Sequence, residues 1–439
     1  EYKGAEYVSN YKWDMRNRFV ESDLQTAMQY DHLSTSHAIY KPVNTPTEIA
    51  SLFDKISYDK GNVVLSMLNH TIGSEVMIKG LHDYLQKHSY SNAGHKDLFD
   101  ALQNAVNAAG VKGWDGGLLD VNQFMNRWIE QMNYPEVNVK QKDHTLYITQ
   151  KRFLVEAEAI VSTPGKWDYE WYTPLWYYNR TTDGVEMTWI KKSETLTITG
   201  PAFPVTSWYL MNPKGWGMYR VNYDSINWLQ LHDQLQEDHT AIEAAARAQL
   251  LDDALVLAVA GTLPYGYALN LTCYLKKESE YIPWFSAFDN LDYLSRMLSI
   301  TMDYGEYKAY TMSLLEAIYP KIAVFDDSRD DDQIAWYDLQ RTTMAQSCRL
   351  NYVPCVNYAL KSFKEYMKNC SGPNTMSSDM KCNYISPNLR SVVYCTAVQE
   401  LGEPAYEFLF DKQSFETINQ EMKSIISGLS CARRPWLIV

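Results

Sequence analysis

The hydrophobic period of this chain changes twice, and this change constrains the fold more than any other feature of the sequence. Apolar residues recur at helical spacing through residues 1–135, whereas residues 136–224 follow a period of two and are rich in aromatic and β-branched side chains. Helical spacing returns at residue 225. The sequence therefore predicts a multidomain α+β protein in which a small β-sandwich separates two helical regions.

The sequence predicts an individual helix in the first helical region but only a general arrangement of helices in the second. In the first, TPTEIASLFDKIS (residues 45–57) predicts a helix with Thr47 as its N-cap. Its apolar positions at helical spacing are Ile49, Leu52, Phe53 and Ile56. In the second region, residues 225–439, short loops with proline separate the helical stretches. Stacked helix pairs, as in an α-solenoid, would suit this region, although no fixed-period repeat is present.

Length and charge exclude several classes of protein. A chain of 439 residues is too long for one ordinary core, and roughly three domains are expected. The net charge of -13 argues against a nucleic-acid partner, because phosphate binding needs basic surfaces. The sequence contains no run of about 18 apolar residues, which a membrane-spanning helix would need. The first residues, EYKGAEYVSNYKWDMRN, do not resemble a signal peptide, so we expect the chain to begin inside a longer protein.

Cysteines and glycosylation sequons together indicate a secreted or cell-surface protein. Cys273 stands apart from the other cysteines, which are Cys348, Cys355, Cys370, Cys382, Cys395 and Cys431. Scattered buried thiols of a cytosolic protein are the alternative, and the spacings fit no zinc-ribbon or finger template. Each Asn-x-Ser/Thr sequon is weak evidence alone, but together with the clustered cysteines the sequons favour an extracellular protein with disulfides and glycans. The sequons begin at Asn69, Asn179, Asn270 and Asn369. Six cysteines allow many connectivities, with Cys273 as the natural unpaired one.

Several segments resemble, in order, the aminopeptidase N-type zinc aminopeptidases (gluzincins). The most specific is NTPTEIASLFDKISYDKGNVVLSML, with its SYDKG motif; EYKGAEY, STSHAI, NRWIEQMNYP, GMYRVNYD, YIPWFSAF and PNLRSVVYC agree along the chain. The resemblance implies that residues 1–135 are the C-terminal helical part of a thermolysin-like catalytic domain. It further implies that residues 136–224 are the β-sandwich and residues 225–439 part of a truncated helical superhelix.

The same resemblance assigns roles to individual residues. It implies that Tyr58 donates a hydrogen bond to the negatively charged oxygen of the tetrahedral intermediate, a task that a neutral hydroxyl suits. Lys60 and Gly61 are expected to be structural, with Gly61 relieving crowding between two helical segments. The disulfides that the resemblance implies are Cys348–Cys355, Cys370–Cys382 and Cys395–Cys431.

The chain also departs from the family, because H-E-x-x-H, the second glutamate ligand and G-x-M-E-N are all missing. We therefore expect an internal fragment that starts just past the zinc site, binds no zinc alone and is inactive alone. The full-length enzyme would remove N-terminal residues from peptides at the cell surface. A homodimer through the helical domain and a membrane anchor outside this chain are expected. The alternative is a non-enzymatic surface binding module or an inactive paralogue with the same fold.

Other polar residues have simpler interpretations. His32 and His37 lie five positions apart with no glutamate between them, and His37 is expected to pack in a loop. Asp252 and Asp253 are expected to form a cap or a salt bridge rather than a metal pair, since adjacent residues point apart on a helix. Arg390 could line a substrate cavity or could pair with a nearby carboxylate.

Overall fold

The chain folds into two compact units. The computed structural model describes residues 2–9, 12–161, 165–323, 333–372 and 375–437. The mixed unit is Met15–Tyr274, and the helical unit is Leu275–Val439 with the N-terminal segment Lys3–Asp14. The predicted domain boundaries at 135/136 and 224/225 stay a prediction.

Helices dominate the N-terminal third of the chain. They are α1 (Tyr2–Val8), α2 (Met15–Phe19), α3 (Thr26–Asp31), α4 (Pro46–Ala50), α5 (Gly61–Ile72), α6 (Ser74–Lys87), α7 (His95–Ala109) and α8 (Val121–Ile129). Two π-helical stretches, Val20–Gln25 and Ile56–Lys60, run directly into α3 and α5. The segment from Ile56 to Ile72 is therefore continuous helical backbone.

The predicted start of the helix at TPTEIA is wrong by two residues. Thr45, not Thr47, is the N-cap of α4: its side chain accepts the N–H of Glu48, and the Glu48 carboxylate accepts the N–H of Thr45. Pro46 fills the first helical position, where no N–H is needed. The helix ends at Ala50, so the apolar residues after it belong to a turn and to the next helical segment.

Two small sheets follow in the mixed unit. The strands are β1 (Pro135–Lys142), β2 (Thr145–Arg152), β3 (Tyr172–Asn179), β4 (Gly184–Lys191), β5 (Leu196–Thr199) and β6 (Arg220–Tyr223). One sheet has the order β5-β2-β1-β6, with β1 and β6 parallel; the other is the β3-β4 hairpin. The β1-β2 hairpin turns at Asp143, which adopts φ +52°.

One stretch with strand-like composition does not form a strand. TSWYLMN (residues 206–212) runs beside β3 and forms one isolated bridge, between Tyr177 and Met211. Tyr178 donates its N–H to the Leu210 carbonyl at 2.9 Å, and Asn212 donates to the Trp176 carbonyl at 2.7 Å. The aromatic and apolar side chains of this stretch are buried, so burial rather than ladder formation explains its composition.

Helices return after β6. They are α9 (Ser225–Asp238), α10 (Ala244–Val259), α11 (Tyr265–Thr272), α12 (Tyr281–Leu298), α13 (Tyr304–Ile322), α14 (Ile334–Arg349), α15 (Val353–Asn369), α16 (Arg390–Leu401), α17 (Glu403–Gln413) and α18 (Asn419–Leu429). Helix α10 is apolar nearly all round and is buried along most of its length, as expected for a core helix. Within the described ranges, no helix has the length and apolar character needed to cross a membrane.

A candidate catalytic turn around Tyr58

Tyr58 lies in the π-helical turn Ile56–Lys60, at the start of the helical segment that continues as α5. Its side chain is 61% exposed, and its ring lies 6.5 Å from that of Phe53, centroid to centroid. The Tyr58 N–H donates to the Asp54 carbonyl at 3.1 Å, which ties the tyrosine to the residue that begins the segment. Short π-helical turns occur often at functional sites. The hydroxyl is thus presented to solvent from a defined backbone position.

The Asp54 side chain caps this segment. Its Oδ1 accepts the N–H of Ser57 at 3.0 Å, and its Oδ2 lies 2.7 Å from Nε2 of His37. The Nδ1 atom of His37 lies 2.9 Å from the carbonyl oxygen of Ala38. Burial raises the pKa of the Asp54 carboxyl, but the hydrogen bonds from Ser57 and His37 outweigh it and hold the pKa below its ordinary value of 3.8. His37, predicted to pack in a loop, therefore also pairs with a carboxylate.

Lys60 anchors the other end of the turn. Its Nζ lies 2.8 Å from Oδ2 of Asp31, and both side chains are 0% exposed. The same ammonium donates to the carbonyl oxygens of Gln131 at 3.1 Å and Asn133 at 3.2 Å. The buried ammonium thus has two carbonyl acceptors and one carboxylate at ion-pair distance, which compensate it in hydrogen bonds and in charge. Lys60 is structural, as expected.

Asp31, the ion-pair partner of Lys60, and Gly61, its neighbour in the sequence, have different roles. Asp31 Oδ1 accepts the N–H of Asn133 at 2.9 Å and the hydroxyl of Ser36 at 2.6 Å, so the carboxylate joins three segments of chain. Gly61, by contrast, has open space around it: an added Cβ would meet no heavy atom within 4 Å. The expectation that Gly61 relieves crowding is wrong, because the close packing occurs at the Lys60 side chain instead.

Within the described part of the chain, no three His, Cys, Asp or Glu side chains come together in a way that could hold a metal ion. His32 is half-buried at the edge of the Phe153 ring, and desolvation together with the nearby Arg220 lowers its pKa to about 3. Zinc needs several deprotonated N, S or O ligands in one place. The residues present here therefore do not fit the zinc site of an aminopeptidase.

The remaining charged candidates are structural. Asp252 and Asp253 both bind Nη1 of Arg220, at 2.6 Å and 3.1 Å, which confirms the expected salt bridge. In the helical unit, Nη1 of Arg390 lies 2.8 Å from Oε2 of Glu421, and both side chains are buried. Of the two interpretations of Arg390, pairing with a carboxylate is the one confirmed.

Three disulfides lie in the helical unit, in the pairing that the resemblance implies. They are Cys348–Cys355, Cys370–Cys382 and Cys395–Cys431. Cys273, in the mixed unit, takes part in none of them. All three bridges join residues of the same unit, so each can stabilise that unit by shortening the loops of its unfolded chain.

The predicted glycosylation asparagines differ in exposure. Asn69 is only 8% exposed, within α5. Asn179 ends β3, where its amide donates to Glu186 at 2.7 Å. Asn270 and Asn369 are exposed, in α11 and at the end of α15. The last two offer the most accessible amides.

Sequence reasoning missed the residues that hold the tyrosine in position. Asp54 carries a readable signal, since an aspartate before a helical run is a frequent N-cap. Asp31 carries none, because it lies outside every motif and meets Lys60 only through the fold. The link between His37 and Asp54 spans 17 residues, which no local pattern encodes.

Comparison with known proteins assigns both ends of the chain. Residues 1–128 match the Peptidase family M1 domain, and residues 208–439 match the ERAP1-like C-terminal domain. The chain is 32% identical over 456 residues to aminopeptidase N of Homo sapiens, with 100% of the chain and 44% of that protein covered. It is 31% identical to aminopeptidase N of Mus musculus, with the same coverage. Glutamyl aminopeptidase of Bitis rhinoceros is 33% identical over 434 residues, covering 97% of the chain and 42% of that protein.

These matches confirm the resemblance and the predicted fold class. The chain consists of the end of an M1 domain, small β-sheets and a large helical C-terminal region. It spans less than half the length of the relatives named above.

Proposed function

Since this chain belongs to the M1 peptidase family and carries an ERAP1-like C-terminal domain, we propose that it is part of a zinc aminopeptidase that removes N-terminal residues from peptides. The observation that carries this proposal is the match to human aminopeptidase N over 100% of the chain. Zinc would supply the nucleophile and the Lewis acid of such an enzyme, and the described residues offer no group of ligands for it.

The contribution of this chain to the reaction is the hydroxyl of Tyr58. Hydrolysis of a peptide bond passes through a tetrahedral intermediate whose carbonyl oxygen carries negative charge. A neutral phenol that donates one hydrogen bond to that oxygen stabilises it without a counter-ion. The exposed side chain of Tyr58 and the fixed backbone of its turn support this role.

An extracellular, cell-surface location is part of the proposal. Three disulfides support it, since such bonds persist in oxidising compartments. The exposed sequons at Asn270 and Asn369 add support for a glycoprotein.

We further propose that the whole protein forms a homodimer through its helical domain. Large side chains such as Phe410, Phe415 and Trp436 are about half exposed or more in the helical unit, and aromatic residues are enriched at interfaces. Light scattering of the full-length ectodomain at micromolar concentration should give twice the monomer mass, and monomer alone would contradict this proposal.

Replacing Tyr58 with phenylalanine in the full-length protein tests the central proposal. This change removes one hydroxyl from an exposed side chain, so fold and zinc content should stay as in the wild type. Because the hydrogen bond forms mainly in the transition state, kcat should fall while KM changes little. By analogy with the loss of one oxyanion donor, we expect a decrease of about 10²–10³-fold.

The matched control is Tyr147→Phe, which removes a hydroxyl from another exposed tyrosine, on β2. It should leave kcat unchanged. If Tyr58→Phe turns over as fast as Tyr147→Phe, Tyr58 does not stabilise the transition state. If the full-length wild type holds no stoichiometric zinc and cleaves no peptide, a non-enzymatic binding module with this fold replaces the enzyme.

A further inference from the structure

We infer that His37 and Asp54 form a positioning pair that fixes the turn carrying Tyr58, and thereby the place from which its hydroxyl acts. The inference rests on the proposed role of Tyr58. It concerns two residues that touch neither substrate nor metal in the proposed reaction, and that would act only through the backbone of the turn.

The first step is that Asp54 controls the backbone of Tyr58 directly. The Asp54 carbonyl accepts the N–H of Tyr58 at 3.1 Å, and Oδ1 of the same residue accepts the N–H of Ser57 at 3.0 Å. The first is the i→i−4 bond that opens the helical segment, and the second satisfies a first-turn N–H that has no acceptor within the helix. A displacement of Asp54 would therefore move or release two hydrogen bonds at the position where the tyrosine is attached.

The second step is that His37 holds Asp54 from a separate segment. His37 lies in the loop between α3 and α4, 17 residues before Asp54, and its Nε2 lies 2.7 Å from Oδ2. Its Nδ1 faces the carbonyl of Ala38 at 2.9 Å. A carboxylate can only accept, so Nε2 of His37 is the donor in this contact. Because the acceptor is ionised, the contact is a charge-assisted hydrogen bond, which is shorter and stronger than a neutral one.

The third step is that the other end of the turn is already fixed. Lys60 is buried with Asp31 and cannot move without breaking that ion pair. The pair Lys55–Asp59, 3.2 Å apart, lies within one segment of chain, so it does not tie the turn to another segment. His37–Asp54 is a polar contact that joins the N-terminal side of the turn to another segment of chain.

A double-mutant cycle in the full-length enzyme tests the inference. The variants are His37→Ala, Tyr58→Phe and the combination of the two, each assayed for kcat and KM. Small misplacements of reacting groups cost up to about 10²-fold, so His37→Ala should lower kcat by about 10–100-fold with little change in KM. In the Tyr58→Phe background the same change should lower kcat less than about 2-fold, because no hydroxyl remains to be misplaced.

Three further variants separate positioning from general stability. His37→Gln keeps a donor that can reach Asp54 and should recover most of the activity. Asp54→Ser keeps a helix cap for the Ser57 N–H, but its shorter side chain cannot reach His37. It should lower kcat as much as His37→Ala does, and it tests the same contact if His37→Ala folds poorly. His88→Ala is the matched control: His88 lies at the end of α6, has 18% side-chain exposure against 22% for His37, and also faces an aspartate, Asp97. It should leave kcat unchanged.

The outcomes distinguish this inference from the proposed function. Normal kcat in Tyr58→Phe would overturn the role of Tyr58 and the inference with it. A loss in Tyr58→Phe together with normal kcat in His37→Ala would leave Tyr58 catalytic and overturn only the positioning pair. An equal loss from His37→Ala in both backgrounds would also overturn the pair, because the effect would then not pass through the hydroxyl.

Discussion

The buried ion pair beneath the tyrosine turn makes a strong prediction about stability. Lys60→Met removes the ammonium but keeps an unbranched side chain that can fill most of the same space. Asp31 then stays buried at 0% exposure without its partner at 2.8 Å. The carbonyl oxygens of Gln131 and Asn133 lose a donor at the same time. The substitution therefore removes the counter-charge of Asp31, which keeps only the hydrogen bonds from Asn133 and Ser36, and removes one donor from each of the two carbonyl groups.

The expected loss in the free energy of unfolding follows from the groups that lose the Lys60 ammonium. Removing one partner of a buried pair costs about 3–5 kcal/mol, because the remaining charge is isolated from water. A typical domain is stable by about 5–15 kcal/mol in total. Lys60→Met should therefore lower the free energy of unfolding of the mixed unit by about 3–5 kcal/mol, which is a large share of what holds it folded.

Urea unfolding followed by tryptophan fluorescence can measure this loss, since the chain has 13 tryptophans. The control is Lys55→Met on the same segment, whose side chain is 52% exposed and pairs with Asp59 at 3.2 Å. It should cost no more than about 1 kcal/mol. Asp31→Asn combined with Lys60→Met removes the isolated charge and should recover part of the loss. If Lys60→Met costs no more than Lys55→Met, the reasoning about buried charge is wrong.

Two other predictions concern pH and glycans. Because burial and Arg220 lower the pKa of His32 from 6.5 to about 3, the unfolded chain binds this proton first on acidification. The stabilising contribution of neutral His32 is complete above pH 6.5 and is lost as the pH falls towards 3. Between these values the free energy of unfolding of the wild type should fall by up to about 1.4 kcal/mol per pH unit relative to that of His32→Phe. Parallel curves of stability against pH for the two proteins would contradict this. Glycopeptide mass spectrometry should find glycans at exposed Asn270 and Asn369 but none at buried Asn69. A glycan on Asn69 in folded protein would contradict the burial argument.

Local patterns predicted the elements of this fold better than their ends. The change of period near residue 135 corresponds to the start of β1, and the helical spacing after residue 224 corresponds to α9. Residues 45–57 contain two threonines that could cap the helix, and Pro46 selects the first, because proline fits the first helical position. Residues 206–212 have the aromatic and apolar composition of a strand, yet they are buried without forming a ladder, so composition alone does not identify a strand there.

Long-range pairing lies beyond such patterns for a physical reason. The contact between Lys60 and the Gln131 carbonyl spans 71 residues, and its energy arises from desolvation that only the folded chain creates. The disulfide pairing is a similar case, since spacing permits many connectivities and the resemblance supplied the choice. Tyr58 is likewise identified by the resemblance of the motif around it, because its residue type alone does not distinguish it from other tyrosines.

The turn shows why the residues that matter to Tyr58 are the ones that the sequence hides. An exposed tyrosine gains little from packing, so its position must be set by the backbone beneath it. That backbone is held by a charged group at each end, Asp54 on one side and Lys60 on the other. Each of the two finds its partner on a segment remote in sequence. The more exposed a catalytic side chain is, the more its precision depends on such distant contacts, and the less a local motif can reveal of what holds it.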